Sequence, residues 1–230
     1  MPIRGKLIAI EGIDGSGKQT QVRLLAQALE ARGHRVFSTG FPQYGSWFGK
    51  MVGEFLNGDF GDSVDPHFAA MLYAGDRFES KPAIVGALEK GEVVIADRYI
   101  ASNLAHQTAR SAPEDRNEFR AWIEHLEYSI FGLPREDLVL YLRVPPRQAQ
   151  SLVAKKSSRT YTDSEHDILE ADLGHLQDAM AMYDVLAGGG NWKTVECYDA
   201  ARGTIRSPEE ISADVLASVL PCLAPLQEVR

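Results

Sequence analysis

Along the 230-residue chain, short apolar runs recur between longer segments whose apolar residues return with the spacing of a helix face. The runs KLIAIEG, RVFSTGF, EVVIADRY, DLVLYLRV and KTVECYD read as buried strands, because short continuous stretches rich in Val, Ile and Leu suit strands covered on both sides. Between the first two, Val22, Leu25 and Leu29 share one side of a helix that can lie on a sheet. Strand and helix in alternation predict an α/β protein with a parallel sheet between two helical layers.

The polar positions punctuate this rhythm. Asp65-Pro66, Ser111-Ala-Pro-Glu114 and Ser207-Pro-Glu-Glu210 predict helix starts, each pairing a capping side chain with an early proline, and the last two have the spacing of a capping box. Gly33, Gly132 and the run Gly188 to Gly190 predict helix ends. No repeat or long linker divides the chain, so residues 1–230 are expected to form a single domain. The stretch AKKSSRTYTDSEHD has no apolar period and predicts a polar insert between two helical segments.

Composition narrows the function. A formal net charge of −8, from 24 basic and 32 acidic residues, argues against a broad nucleic-acid footprint, which needs a basic surface. Cys197 and Cys222 suit reduced, packed thiols better than a disulfide framework. The run LIAI is cut by Glu11, far short of the ~20 residues that span a bilayer, and no secretory pattern precedes it. A soluble cytoplasmic protein with no membrane partner is expected.

The chemistry concentrates in GIDGSGKQT, Gly12 to Thr20. Gly12, Gly15 and Gly17 allow a tight turn that presents the N–H groups of Ile13, Asp14, Ser16 and their neighbours to phosphate oxygens. Lys18 adds a cation for the terminal phosphates, and the helix that follows adds its positive end. These features predict an ATP site over Gly12 to Thr20. Gln19 stands where a hydroxyl residue usually assists the metal, and Thr20 brings a hydroxyl one residue late, where helical geometry points it elsewhere. Asp97, ending the strand VVIAD, is the leading candidate to hold Mg²⁺ or its water shell, with Gln19 and Asp14 as further candidates.

Taken in order, EGIDGSGKQTQ, FPQYG, YAGDRFE, DRYIASNLAHQ and FGLPREDLVLYL resemble the thymidylate kinase family over most of the chain. The resemblance implies a P-loop NTPase fold: a five-stranded parallel sheet flanked by helices on both faces, with a short lid insert at about residues 155–168. It also implies a homodimer and Mg²⁺-dependent transfer of the ATP γ-phosphate to dTMP. By the same resemblance Tyr73 stacks on thymine, Arg77 hydrogen-bonds the base, and Phe41 lines the base and sugar pocket. Asn103 and Gln107 match pocket positions, Asp14 faces the sugar 3′-hydroxyl or the metal shell, and His106 replaces a tyrosine common among relatives.

The chain departs from the pattern in two places. Gln43 and Tyr44 stand where many members carry an arginine facing the acceptor phosphate, which leaves Arg98, with its planar fork, as the expected phosphate holder. Gly15 stands where some members carry a loop arginine, so a lid cation is expected to serve, Arg159 ahead of Lys155 and Lys156. Glu170 resembles an acidic position near the acceptor. The expected catalytic set is Lys18, Arg98 and Arg159. Rival readings are a kinase for another pyrimidine nucleotide and a nucleotide-binding regulator without catalysis.

Overall fold

The computed structural model describes residues 5–61, 63–153 and 173–223. The elements run β1 (Lys6–Glu11), α1 (Lys18–Glu30), β2 (Val36–Gly40), α2 (Trp47–Asn57), α3 (Pro66–Glu89), β3 (Val93–Asp97), α4 (Ile100–Ala109), α5 (Arg116–Glu124), β4 (Leu138–Arg143), α6 (Pro146–Val153), α7 (Leu173–Leu186), β5 (Trp192–Glu196) and α8 (Pro208–Leu223), with a π-helical turn at His125–Ile130 after α5. A small antiparallel pair, Tyr198–Asp199 with Thr204–Ile205, precedes α8.

All pairings in the main sheet are parallel, in the order β2-β3-β1-β4-β5. The chain steps outward from β1 to β2 and then reverses through β3 to β4 and β5. Right-handed crossovers therefore put α1 on one face and α3, α4 and α7 on the other. The packing agrees: α1 meets α8, while α4 meets α3 and α7. The register aligns Ile8 with Ile95 and Leu138, so the strands finish together and Glu11, Gly40, Asp97 and Tyr141 lie along one carboxyl edge.

The expectation of uniformly buried strands holds for β1, β3 and β4 but not for the outer two. In β2 every position keeps some exposure, and β5 buries only Val195, because each has a neighbour on one side alone. Leu25 and Leu29 have no exposed surface and belong to the same core as the central strands. Cutting either back to alanine is worth about 2–5 kcal/mol at such sites. A satellite cluster of Val52, Phe55, Leu56, Ala69 and Leu72 joins α2 to α3.

Helix starts follow the punctuation at two of three sites. Asp65 Oδ1 accepts the N–H of His67 at 2.7 Å ahead of α3. Ser207 and Glu210 exchange bonds at 3.1 and 2.8 Å ahead of α8. Ser111 does not cap: α5 begins only at Arg116, and the Ser111 hydroxyl turns back to the carbonyl of Thr108 at 3.1 Å. Serine readily bonds to nearby backbone, and here the end of α4 takes it. Among the described residues no helix is long and apolar enough to cross a membrane. The insert expected at about 155–168 lies outside the described residues.

Candidate active site

The glycine-rich turn joins β1 to α1 at the carboxyl edge of the sheet. Gly17 has φ 88° and caps α1 without a side chain, which leaves the first N–H groups of the helix pointing into the turn. Gly15 has φ 83°, and a Cβ there would lie 2.1 Å from the carbonyl oxygen of Ala149 on α6. A loop arginine at this position has no room, which accounts for the departure at Gly15. The hydroxyl of Ser16 is buried and meets no hydrogen-bond partner among the described residues. An orphaned buried donor beside open N–H groups suits an incoming phosphate.

Lys18 folds over the turn, donating to the carbonyls of Gly12 at 3.0 Å and Ile13 at 2.9 Å. Burial and the nearby Arg98 push its ammonium down to about 8, against the opposing pull of Asp14, Asp97 and Glu11. Gln19 is exposed on the first turn of α1, and with Thr20 it lines an open groove of about 520 Å³ that also touches Arg23 and Ser38. Asp97 stays half-buried at the end of β3.

Arg98 is the one non-glycine residue with positive φ, at 67°, among the described residues. Such a backbone is strained for an arginine and is held here by its N–H, which donates to Ile10 O at 3.0 Å. Its Nη2 meets Asp14 Oδ1 at 2.5 Å, and its Nη1 reaches Ser102 Oγ at 3.1 Å and the Gly12 carbonyl at 3.3 Å. Burial alone would raise the Asp14 carboxyl; the charges of Arg98 and Lys18 overcome it and hold Asp14 ionised far below the usual carboxylate range. His106 Nε2 lies 3.4 Å from Arg98 Nη1, and its Nδ1 lies 3.2 Å from His175 Nε2. Burial, Arg98 and His175 keep this imidazole neutral, so Nε2 accepts from the guanidinium and Nδ1–H turns to His175.

A second wall forms on α3 and α4. Tyr73 and Arg77 are one helical turn apart on α3, with Tyr73 edge-on to Phe55. Arg77, 1% exposed, gives Nε and Nη2 to the carboxylate of Glu127 at 2.6 Å each. Asn103 donates its amide to Glu127 at 2.8 Å and to Ala70 O at 3.0 Å, which fixes its orientation and leaves Oδ1 buried with no partner among the described residues. Gln107 Oε1 takes a bond from Arg110 at 2.8 Å. Phe41, buried, tilts against Tyr99 and ties its N–H to Asp97 O at 3.0 Å. Asp76 fixes the turn after Phe41 by accepting from Gln43 N at 2.9 Å and Ser46 Oγ at 2.8 Å.

The fold thus joins Lys18, Asp14 and Arg98 around Gly12, and links Arg77 to Asn103 through Glu127. Lys155, Lys156, Arg159 and Glu170 lie outside the described residues. Sequence reasoning missed Glu127, Ser102 and the bracing role of Asp76. Glu127 sits in HLEYSI, where nothing local sets it apart from any acid on a helix.

A family model described as thymidylate kinase matches residues 10–200. A thymidylate kinase of Mycobacterium tuberculosis is 36% identical over 194 residues, covering 82% of this chain and 90% of that enzyme. A probable thymidylate kinase of Pyrobaculum aerophilum is 33% identical over 209 residues, covering 90% and 93%. The solved thymidylate kinase of Candida albicans shares the fold with a TM-score of 0.73 at 21% identity, covering 94% of this chain and 91% of that one.

Proposed function

The chain belongs to the thymidylate kinase family of ATP-dependent nucleoside monophosphate kinases, and on that premise we propose that it moves the γ-phosphate of ATP onto dTMP, releasing dTDP and ADP. One observation carries the reading: Lys18 Nζ and Arg98 Nη1 both rest on the Gly12 carbonyl oxygen, at 3.0 and 3.3 Å. A cation for the donor phosphates and a cation for the acceptor phosphate therefore start from a single atom.

Phosphoryl transfer requires mainly alignment and spread positive charge. The turn from Gly12 to Thr20 cradles the ATP phosphates, and Lys18 leaves its carbonyl partners for them. Two buried cations side by side repel, so an arriving phosphate relieves a cost already present in the site. Arg98 presents its fork to the acceptor phosphate, which is ionised near neutral pH and needs no strong base. Asp14, with Oδ1 taken by Arg98, offers its other oxygen to the sugar 3′-hydroxyl. Arg159 keeps the role that the resemblance gives it, over the ATP phosphates.

Mg²⁺ would neutralise charge on the transferring phosphates. No group of three or more His, Cys, Asp or Glu side chains gathers to hold a metal among the described residues. Mg²⁺ keeps several waters and takes one or two carboxylates beside its nucleotide. Asp97 is the residue we assign to it, with Gln19 reaching through water, while the bond to Arg98 makes Asp14 the weaker ligand.

For the base, the free Asn103 Oδ1 is an acceptor and Arg77 Nη1, outside both bonds to Glu127, is a donor. This pair complements the N3–H and O4 of thymine, whereas cytosine would set an acceptor against Oδ1. Tyr73 and Phe41 supply flat apolar surface, and Gln107 completes the pocket. We also propose a homodimer, supported by Phe68, Met71 and Phe78, exposed along one side of α3, with Phe78 packed on Phe131. The free thiols of Cys197 and Cys222 support a cytoplasmic setting.

An ADP-release assay with Mg²⁺ across nucleoside monophosphates tests the reading. We expect dTMP to be preferred over dUMP and to exceed dCMP by at least about a hundredfold, since an unmatched polar edge is rejected strongly. Equal rates for dCMP would overturn the base assignment. ATP binding with no turnover of any acceptor would favour a silent regulator instead.

A further inference from the structure

Glu11 is the last residue of β1, has no exposed surface and takes part in no step above. Its Oε1 accepts the N–H of Tyr99 at 2.6 Å and of Ser102 at 3.3 Å. Its Oε2 accepts from Ser102 Oγ at 2.6 Å and from the Tyr183 hydroxyl at 2.9 Å. Tyr99 is the N-cap of α4 and provides no capping bond of its own. The carboxylate of Glu11 therefore does from a neighbouring strand what a capping side chain does locally, and its charge meets the positive end of the α4 dipole.

The same bonds reach the reacting groups from both sides. Tyr99 directly follows Arg98, so a bond to the Tyr99 N–H holds the far side of the strained turn at φ 67°. Ser102, having given its proton to Glu11, is left to accept from Arg98 Nη1 at 3.1 Å. On the other side Glu11 leads directly into Gly12, whose carbonyl carries Lys18 and Arg98. Tyr183, from α7, closes the cluster and stacks on Tyr141 of β4 with ring centres 5.2 Å apart. A buried carboxylate is tolerated here because these donors surround it, with Lys18 and Arg98 near enough to feel its charge.

We propose that Glu11 is a positioning residue for phosphoryl transfer, holding the Arg98 turn and the head of α4 in register with the phosphate loop. It acts through Arg98 and touches neither nucleotide. The inference rests on the assignment of Arg98 to the acceptor phosphate.

Glu11→Gln keeps the shape and removes the charge. Steady-state kinetics on the folded variant are expected to show kcat lowered about tenfold or more and KM for dTMP raised, because small misplacements of a phosphate-holding group are costly. The Kd of a non-hydrolysable ATP analogue should stay within about twofold, since the cradle is backbone. Unchanged kcat, or equal losses in ATP and dTMP binding, would overturn the proposal. Should Glu11→Gln fail to fold, Tyr183→Phe removes one donor to Glu11 and leaves the ring in place; a smaller fall in kcat with ATP binding kept supports the proposal, and no fall overturns it. If the parent enzyme does not turn over dTMP, the acceptor reading fails, and crystals of the parent and either variant decide this inference alone. Release of Arg98 from its left-handed backbone supports it, and an unmoved Arg98 overturns it.

Discussion

The two halves of the site are built by opposite means. The proposed donor cradle is one continuous turn, Gly12 to Thr20, whose cation rests on carbonyl oxygens of that same turn. The proposed acceptor wall is assembled from distant parts, with Arg77 and Glu127 separated by 50 residues and Asn103 and Glu127 by 24. A cation on carbonyls is released at small cost, whereas a buried ion pair is costly to disturb from either end. Changes on the donor side should therefore be felt in turnover, and changes on the acceptor side in stability as well.

The largest expected effect tests the acceptor half. Glu127→Ala leaves the Arg77 guanidinium buried without its counter-charge, so urea unfolding should show a loss of about 3–5 kcal/mol. A loss no greater than that of an exposed pair would erase the contrast. Lys18→Ala should lower kcat by on the order of 10²–10³, as removal of one preorganised phosphate donor does, while the urea midpoint barely moves. A matching fall in stability would break the comparison from the other side.

Asn103→Ala sharpens it further, by lowering kcat/KM for dTMP about ten- to a hundredfold through loss of one buried hydrogen bond. Affinity for ATP should be untouched in an equilibrium titration. The smallest effect is on pH. With its ammonium at about 8 in the free enzyme, Lys18 is charged below that pH and loses its proton above it. The kcat/KM for ATP should decline as pH rises through about 8, while kcat, which reports the nucleotide-bound enzyme, declines only at higher pH because bound phosphate favours the charged lysine.

The same division explains what the sequence could show. The strand runs, the helix face of Val22, Leu25 and Leu29 and the glycine-rich turn are local patterns, so the layers and the place of that turn between β1 and α1 were legible in the chain. The partners of Arg77 and Arg98 were not. Each meets its carboxylate through the meeting of separate elements, and neither HLEYSI nor the turn at Asp14 carries a local sign of the pairing. Ser111 failed as a cap for a related reason: its hydroxyl donates back to a carbonyl at the end of α4 while α5 starts only at Arg116, a choice that the packed chain makes and the local run does not state. The outer strands, VFSTG and WKTVE, carry fewer apolar residues than the inner ones, a local sign of their edge positions that a reading of all five as buried strands passes over.

Position 98 carries a conflict between chain and chemistry. Its backbone geometry is one that glycine adopts without penalty, at a saving of about 1–2 kcal/mol over any side-chain-bearing residue. Its side chain is the one proposed to hold the acceptor phosphate. Glycine there would relieve the strain but strip the half-buried Asp14 of its counter-charge, a larger loss, so Arg98→Gly should be inert without being hardier and the strained backbone is kept by the pairing as well as by the chemistry.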